Sequence, residues 1–468
     1  METHTILPLT RIHQPLRLDI DLEGNTVIDS RSSGTMFRGF ELMLKGRDPR
    51  DATYLCERIC GICSTAHGVA ATSAIEDAIG LEVTPNAALM RNLIYGADIL
   101  QNHLRHFYVL ALPDYIDTPN FPPFVPKSNF DKRLSKAEND KLLESYWLGV
   151  DMSRLAHQLL AIYGGKAPHQ HGIIVGGTSM VPDADRNNRF RGLLSSLLRF
   201  INEHMLPNTE LIATRYNDYF KIGKGPGTFL SYGMFPQQQG RSKLKYPAGV
   251  YLNGKYAELD PGLITEDNTF TWFSGSKAQE KPADADSLPD RHKKSGYTWL
   301  KAPRYANQVM EMGPLARMWI SGDYRNGTST MDRLIARTLD AKKIATWMLE
   351  WLDELAPGQA TFTPFEIPDS GSGIGLTEAM RGSLGHWVKI EAKKIAHYQI
   401  ITPTAWLFSP KDKNGKRGAV DTAIVGTKVK DRDNFSEIGR IVRSFDPCFS
   451  CSAHLLEPQG QIDEFRIF

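Results

Sequence analysis

The chain has 468 residues, of which 41% are hydrophobic and 23% are charged, an ordinary globular composition. Its formal net charge of +2 at pH 7 excludes the strong positive field that would attract nucleic acid or anionic lipid. No apolar run approaches the roughly 20 residues that cross a bilayer, and the first residues lack the pattern of a signal peptide. We therefore expect a soluble polypeptide that reaches a membrane or another compartment only with a partner.

The first predicted elements are strands. Residues 16–45 begin with an alternation of apolar and polar residues, turn at Glu23-Gly-Asn and continue as a return strand. This pattern predicts a small β-layer at the N-terminus.

Long helices follow. Thr84-Pro85 is a helix start, and after it apolar residues recur at helical spacing, namely Leu89, Leu93, Ala97, Leu100 and Leu104. Similar patterns cover residues 187–220 and 329–355, the last ending at Pro357-Gly358, whereas residues 274–296 have the composition of an exposed loop. We predict an α+β fold that is predominantly α, with a central bundle of long helices, the N-terminal β-layer and peripheral β-hairpins.

Four of the five cysteines form two Cys-x-x-Cys pairs near opposite ends of the chain, Cys60/Cys63 and Cys448/Cys451. A disulfide framework is typical of small secreted chains, and a structural zinc site usually takes pairs roughly 15–20 residues apart. The third interpretation is a four-thiolate site for a soft, redox-active metal, which the spacing alone favours only modestly over zinc. If the two pairs form a single site, both ends of the chain must meet at the centre of the fold. We therefore expect one interleaved unit and not separable domains.

A histidine follows each pair. His67 comes four residues after Cys63, and His454 comes three residues after Cys451. Such an imidazole is a hydrogen-bond donor to a thiolate sulfur, a ligand for another cation, or an ordinary core or solvated histidine. Its presence behind both pairs favours a role at the cysteine site.

The segments Arg58-Ile-Cys-Gly-Ile-Cys-Ser-Thr-Ala-His67 and Asp446-Pro-Cys-Phe-Ser-Cys-Ser-Ala-His454 resemble the large, catalytic subunit of nickel–iron hydrogenases. The resemblance extends over essentially the whole chain through further segments in the family's order, which are Arg38-Gly-Phe-Glu41, Ala111-Leu-Pro-Asp114, Gly165-Lys-Ala-Pro-His169, Lys301-Ala-Pro-Arg-Tyr305, Glu311-Met-Gly-Pro-Leu-Ala-Arg317, Thr377-Glu-Ala-Met-Arg-Gly382 and Thr402-Pro-Thr-Ala-Trp406. It implies an oxidoreductase that cleaves H2 reversibly into protons and electrons.

The resemblance also implies a set of metal ligands. Cys60 and Cys448 would be terminal nickel thiolates, and Cys63 and Cys451 would bridge nickel to an iron that carries carbon monoxide and cyanide. Soft, anionic sulfur suits a nickel ion that changes oxidation state.

Further roles are implied around this centre. Cys448 would act as the base, and Arg381, held by Asp114, would lie over the open position of the metals. Pro403 and Thr404 would contact the iron's diatomic ligands.

At the C-terminal end, the resemblance implies that Glu41 and His454 bind magnesium. Residues 455–468 resemble the family's maturation peptide, which an endopeptidase removes after dedicated proteins have inserted nickel. The predicted mature unit is therefore residues 1–454.

One position departs from the family. The family's usual Thr-Arg-Ile-Glu-Gly places a glutamate as the first proton acceptor, whereas this chain has Thr10-Arg-Ile-His-Gln, with His13 at that position. Imidazole titrates near neutral pH, so His13 either replaces the carboxylate in proton transfer or is a packing residue.

With four cysteines assigned to metal, only Cys56 remains, whereas an iron–sulfur cluster generally needs four protein ligands. The electron-transfer clusters must therefore be in a partner, the family's iron–sulfur small subunit. Cys56 itself is expected to be a buried structural thiol.

Three alternatives stay open from the sequence. They are an H2-sensing hydrogenase, the related quinone-site subunit of respiratory complex I, which lacks the metal thiolates, and a zinc-stabilised scaffold. Metal analysis separates the last from an enzyme. The compartment stays open, since a partner with an export signal would carry the folded pair outward.

Overall fold

A computed structural model of the chain describes residues 2–125, 130–237, 240–432 and 434–452, without the side chains of residues 240–242, 451 and 452. The described part is a helix-rich α+β structure. Its α-helices are α1 (Phe40–Leu44), α2 (Asp51–Glu57), α3 (Ser64–Ala78), α4 (Pro85–Arg105), α5 (Lys136–Gly164), α6 (Ala184–Phe200), α7 (Leu206–Arg215), α8 (Pro314–Ser321), α9 (Thr330–Glu354), α10 (Pro403–Leu407), α11 (Ala419–Ile424) and α12 (Ser436–Ser444).

The strands form several small antiparallel sheets. They are β1 (Glu2–Ile6), β2 (Leu16–Glu23), β3 (Thr26–Gly34), β4 (Ile173–Ile174), β5 (Gly177–Thr178), β6 (Phe229–Ser231), β7 (Met234–Gln237), β8 (Gly240–Tyr246), β9 (Gly249–Leu252), β10 (Lys255–Ala257), β11 (Ile264–Asp267), β12 (Ala302–Tyr305), β13 (Ser370–Ala379), β14 (Gly382–Glu391) and β15 (Lys394–Ile401).

The N-terminal sheet has the predicted strand–turn–strand form. Strands β2 and β3 pair from Leu16 opposite Gly34 to Glu23 opposite Thr26, and β1 joins β2 on its other edge. The alternation places Leu18 and Ile20 in the core because successive side chains point to opposite faces of a strand. This sheet leads the chain from its start directly to α1.

Two predicted helix starts are confirmed by their caps. The Thr84 side chain accepts a hydrogen bond from the N–H of Ala87 at the start of α4, and Pro85 occupies the first turn. Helix α9 starts with a capping box between Ser329 and Asp332 and ends at Glu354, shortly before the predicted stop.

The predicted pattern over 187–220 is divided into two helices. Helix α6 passes through a π-helical segment, Ile201–Met205, before α7, which has Pro207 in its first turn. Proline lacks an N–H and its ring excludes the normal helical hydrogen bond, so the wider turn accommodates it.

Helix α5, 29 residues long, was not predicted. Its capping box, formed by Ser135 and Glu138, is a signal that the sequence does carry.

A sheet of β13, β14 and β15 lies directly against α3. A Cβ atom on Gly373 would lie 2.2 Å from the carbonyl oxygen of Ala74, and one on Gly375 would lie 2.0 Å from that of Ala70. The strand and the helix run in opposite directions in this contact. The N-terminus of α3 therefore lies beside the C-terminal end of β13.

Residues 274–296 contain one short helical turn, Pro282–Asp284, and many exposed residues, in agreement with the predicted loop. Among the helices within the described ranges, none has the length and apolar character needed to cross a membrane.

Candidate metal centre

The first cysteine pair lies in the short connection between α2 and α3. Cys63 is the residue just before α3, so it lies at the positive end of the helix dipole. The backbone N–H groups of Ile62 and Cys63 donate to Sγ of Cys60 at 3.3 and 3.4 Å. Helix N-termini and backbone donors favour the thiolate form of cysteine.

Cys448 reaches the same place from the other end of the chain, just after α12. Its Sγ lies 3.3 Å from Sγ of Cys60, although the two residues are 388 positions apart. The backbone N–H of Cys448 donates to Oγ1 of Thr404 at 3.2 Å, which ties this loop to α10. Cys60, Cys63 and Cys448 are all buried and form no disulfide with one another.

The N-terminal segment passes beside this pair of sulfurs. His13 forms an isolated parallel bridge with Cys448, in which the N–H of His13 donates to the Pro447 carbonyl and the N–H of Phe449 donates to the His13 carbonyl. One ring nitrogen of His13 and the sulfurs of Cys60 and Cys448 lie within 4.8 Å of one another. Burial lowers the pKa of His13, but its hydrogen bond with Cys60 and the nearby Cys448 outweigh burial and raise it.

Arg381 occupies the tight turn between β13 and β14, at the end of the sheet that meets the start of α3. Its Nη2 donates to Oδ1 of Asn102 at 2.9 Å and forms an ion pair with Asp446 at 3.0 Å. Nε and Nη1 are buried and have no hydrogen-bond partner among the described residues. Burial opposes the charge, but Asp446 and Cys448 raise the pKa of this guanidinium, so it stays cationic beside the sulfurs.

The predicted pairing of Asp114 with Arg381 is wrong. Asp114 accepts two hydrogen bonds from Arg443, at 2.6 and 2.7 Å, and one from Arg11. It is held in the turn Leu112–Asp114, where Arg443 reaches it from α12 in a two-pronged geometry that matches a carboxylate.

The carboxylate that does hold Arg381 is Asp446, which the sequence analysis did not single out. Asp446 also accepts from Asn102 at 2.8 Å and pairs with Arg337 at 3.1 Å. Its position two residues before Cys448 was the available signal, since a carboxylate within a ligand loop is a natural partner for a cation at the site.

The other predicted residues near the cysteines are buried. His67 lies on α3, where burial lowers its pKa to about 4, so its imidazole is neutral. Pro403 and Thr404 form the start of α10, and the Thr404 hydroxyl accepts from Cys448 as described above.

Glu41, on α1, lines a cavity together with Glu266, Lys301 and Gln399. Its Oε2 is buried and has no hydrogen-bond partner among the described residues, and burial raises the pKa of this carboxyl group. Lys301 lies 3.5 Å from Glu266 instead. An orphaned carboxylate oxygen in a polar cavity fits a bound hard cation.

Cys451 lies in the turn Phe449–Ser452, but its side chain is outside the described residues. His454 and the segment 455–468 are outside them as well. The predicted roles of these residues stay predictions.

The described donors fit a soft transition metal. The sulfurs of Cys60 and Cys448 lie 3.3 Å apart in the protein interior, and Cys63 lies just before α3. The cationic guanidinium of Arg381 is close enough to interact electrostatically with all three sulfurs. Thiolates with nearby positive charge suit a metal whose charge changes during turnover.

Comparison with known proteins identifies the protein family. A family model for nickel-dependent hydrogenases matches residues 38–128 and 123–454. The chain is 36% identical to the large subunit of the periplasmic [NiFeSe] hydrogenase of Desulfomicrobium baculatum, over 97% of this chain and 95% of that one. It is 30% identical to the hydrogenase-1 large chain of Escherichia coli K12, over 97% and 95%. The solved Ni-Fe-Se hydrogenase of D. vulgaris Hildenborough superposes with a TM-score of 0.94 at 35% identity, covering 97% of this chain and 100% of that one.

The chain therefore belongs to the nickel-dependent hydrogenase family. The predicted family, enzyme class and activity are confirmed: it is a hydrogenase large subunit, an oxidoreductase acting on H2, with a nickel and iron centre and a small-subunit partner.

Proposed function

We propose that this chain cleaves H2 heterolytically at a nickel–iron centre held by Cys60, Cys63, Cys448 and Cys451. The observation that carries the proposal is the 3.3 Å approach of the Cys60 and Cys448 sulfurs in a buried pocket beside Arg381. When bound, the metals supply a Lewis acid that polarises H2 and accepts its electrons.

Cys448 is the proposed base. Its sulfur is buried, and the cationic Arg381 nearby stabilises its thiolate form, which has a lone pair to accept a proton. In this proposal, Asp446 and Asn102 hold the Arg381 side chain over the reacting position.

His13 is the proposed next proton acceptor. Its ring lies within reach of both the Cys60 and the Cys448 sulfurs, and neutral imidazole takes a proton on one nitrogen while releasing one from the other. The parallel bridge to Cys448 fixes this position through backbone hydrogen bonds.

We further propose that the iron carries carbon monoxide and cyanide, in a pocket formed by Pro403, Thr404 and Arg381. The orphaned Nε and Nη1 of Arg381 support this, because a buried guanidinium N–H without an acceptor is costly and cyanide nitrogen supplies one.

Glu41 and His454 are the proposed magnesium ligands. The orphaned Oε2 of Glu41 supports the first assignment, while the assignment of His454 rests on the family resemblance alone.

The proposed electron acceptor is an iron–sulfur small subunit. Cys56 is the only cysteine outside the two pairs, and it is buried on α2, where burial raises the pKa of its thiol. This chain therefore has no set of ligands for a cluster of its own.

Residues 455–468 are proposed to be a maturation peptide, removed by an endopeptidase after nickel-insertion proteins have loaded the site. The family match supports this boundary because it ends at residue 454. The mature chain, residues 1–454, is proposed to be one interleaved domain.

The test is metal analysis and infrared spectroscopy of the chain purified with its small subunit. We expect equimolar nickel and iron, absorption bands of metal-bound carbon monoxide and cyanide, and H2-dependent reduction of a dye. Cys448→Ser is expected to abolish nickel binding and activity, whereas Cys56→Ala keeps both. Zinc alone, without these bands, would contradict the proposal and support a scaffold.

A further inference from the structure

Three buried side chains form a line that ends at the carboxylate paired with Arg381. His103, on α4, lies between Asp340 and Arg337, which are three positions apart on α9 and therefore on one face of that helix. Nε2 of His103 lies 2.7 Å from Oδ2 of Asp340, and Nδ1 of His103 lies 2.9 Å from Nη1 of Arg337. The same Nη1 lies 3.1 Å from Oδ2 of Asp446. The line therefore joins two long helices to the loop after α12.

The protonation states along this line make each contact a matched donor and acceptor. Burial raises the pKa of Asp340, but Arg317 outweighs burial and holds that pKa well below its usual value, so Asp340 is ionised. Burial lowers the pKa of His103 to about 4 and that of Arg337 to about 10, so near pH 7 the imidazole is neutral and the guanidinium is charged. His103 therefore donates from Nε2 to Asp340 and accepts at Nδ1 from Arg337, which fixes the direction of the guanidinium.

The same guanidinium reaches the turn that carries Arg381. Nη1 of Arg337 donates to the Met380 carbonyl oxygen at 3.2 Å. Arg317, on α8, donates to the preceding carbonyl oxygen, that of Ala379, at 3.1 Å. Met380 is the residue just before Arg381, so these bonds hold the backbone from which the Arg381 side chain extends.

Asp446 needs support of this kind to hold a partner in place. Its φ is 55°, in the left-handed region, which is unfavourable for a residue other than glycine unless its surroundings hold it there. The contacts of its side chain with Arg337 and Asn102 supply that support on the side away from the β13–β14 turn. Arg337 thus contacts both the carboxylate that pairs with Arg381 and the backbone that carries it.

We propose that Arg337 is a positioning residue for the cleavage of H2, which holds the Arg381 guanidinium at the metal centre. It acts through two contacts, the ion pair with Asp446 and the hydrogen bond to the Met380 carbonyl oxygen. His103 and Asp340 direct Arg337 from behind. This inference rests on the role proposed above for Arg381, whereas the contacts that carry it involve protein atoms alone.

A double-mutant cycle tests the proposal in the chain purified with its small subunit, with kcat for H2 oxidation measured per bound nickel. Arg337→Met is expected to lower kcat by about 100-fold, because misplacing a group at a reacting centre by about 1 Å has an effect of this size. In an Arg381→Leu background the same substitution is expected to have little further effect, since the group that it positions is already gone. An unchanged kcat, or losses of similar size in both backgrounds, would overturn the proposal.

Arg304→Met is the matched control. Arg304 is a buried arginine paired with a carboxylate, Asp412, at 2.9 Å, so its loss destabilises the fold in a comparable way. Its effect on kcat per bound nickel is expected to be small and the same in both backgrounds. A pattern like that of Arg337→Met would show that the cycle reports general destabilisation, and would overturn the proposal.

Crystal structures of the parent and Arg337→Met enzymes provide a readout that does not depend on activity. We expect the Arg381 guanidinium to lose its contacts with Asn102 and Asp446 in the variant, while α9 keeps its position. An Arg381 side chain that stays in place would overturn the proposal.

The outcomes separate this inference from the proposed function. A parent enzyme without nickel would count against the proposed metal centre, while the crystal structures would still decide whether Arg337 positions Arg381. A fully active Arg381→Leu variant would overturn both. If Arg337→Met does not fold, Arg337→Lys, which keeps the buried charge, takes its place in both experiments, with a smaller loss of kcat that is again confined to the parent background.

Discussion

Arg381 is the residue whose contacts bear most directly on the proposed mechanism. Replacing it by Leu removes a buried cation beside the described sulfurs while leaving Asn102 and Asp446 in place. Because loss of one preorganised donor commonly lowers kcat by roughly 100- to 1,000-fold, we expect a loss of that size in H2 oxidation. Activity per bound nickel is the measurement.

The matched control is Arg304→Leu, which removes another buried arginine, paired with Asp412 away from the cysteines. It is expected to lower stability but to keep activity per bound nickel. Equal losses per nickel in the two variants would contradict a specific role for Arg381.

Asp114 and Asp446 are two buried carboxylates with different arginine partners. Asp446→Asn is expected to lower turnover, because the neutral amide holds Arg381 less firmly. Asp114→Asn is expected to keep turnover and to lower the free energy of unfolding by about 3–5 kcal/mol, the usual cost of breaking a buried ion pair. Turnover and urea unfolding of both variants separate the two effects.

The effect of Asp114 on stability has a defined pH dependence. Burial raises its pKa, but Arg11 and Arg443 outweigh burial and hold the pKa well below the usual value of about 3.9. The ionised carboxylate therefore stabilises the fold above that pH, and this contribution is lost as the pH falls below it. The stability difference between the parent and Asp114→Asn should be largest near pH 7 and shrink in acid. A constant difference would contradict the assignment.

The sequence does not determine which of these two aspartates pairs with Arg381. Both lie in segments that resemble the family, and neither spacing nor residue type says which one reaches Arg381. The answer depends on where the turn after α4 and the loop after α12 meet in space, which only the folded chain defines.

At the level of elements, the contact between α3 and β13 positions Cys63 relative to Arg381. Gly375→Ala would place a Cβ atom 2.0 Å from the Ala70 carbonyl oxygen, so the helix must shift. We expect a loss of about 1–3 kcal/mol in unfolding free energy, typical of overpacking, together with reduced nickel content.

Gly192→Ala, on the exposed face of α6, is the control for that substitution. No heavy atom lies within 4 Å of the added Cβ, and alanine favours helix by about 0.5–1 kcal/mol. Its unfolding free energy should rise slightly and its nickel content stay unchanged. Similar behaviour of both variants would contradict the packing argument.

The helices that were predicted correctly are those with both a cap and a regular apolar spacing, such as α4 and α9. Helix α5 has the cap, but its buried residues are widely spaced and many of its neighbours are polar, so periodicity is weak there. Strand β13 was not predicted, because its glycines have a low strand propensity. The close contact with α3 requires these glycines, but the sequence does not show that the two elements are neighbours.

For the whole molecule, bound metal should act as a long-range cross-link. The proposed ligands Cys60 and Cys448 are 388 positions apart in the sequence, and a bound metal would bond to both of them. We expect the loaded protein to have a higher Tm than protein matured without nickel, measured by calorimetry, because ligand binding to the folded state alone stabilises it. Equal Tm values would indicate that the core holds these segments together unaided.

The backbone bridge between His13 and Cys448 also has a consequence for biosynthesis. The ribosome makes residue 13 long before residue 448, yet each contributes hydrogen bonds to the same short ladder. In a nascent chain the segment around His13 therefore has no pairing partner until Cys448 has been made. The pocket can close only after that point, so Cys60 and Cys63 are accessible to solvent until the segment at Cys448 has been made.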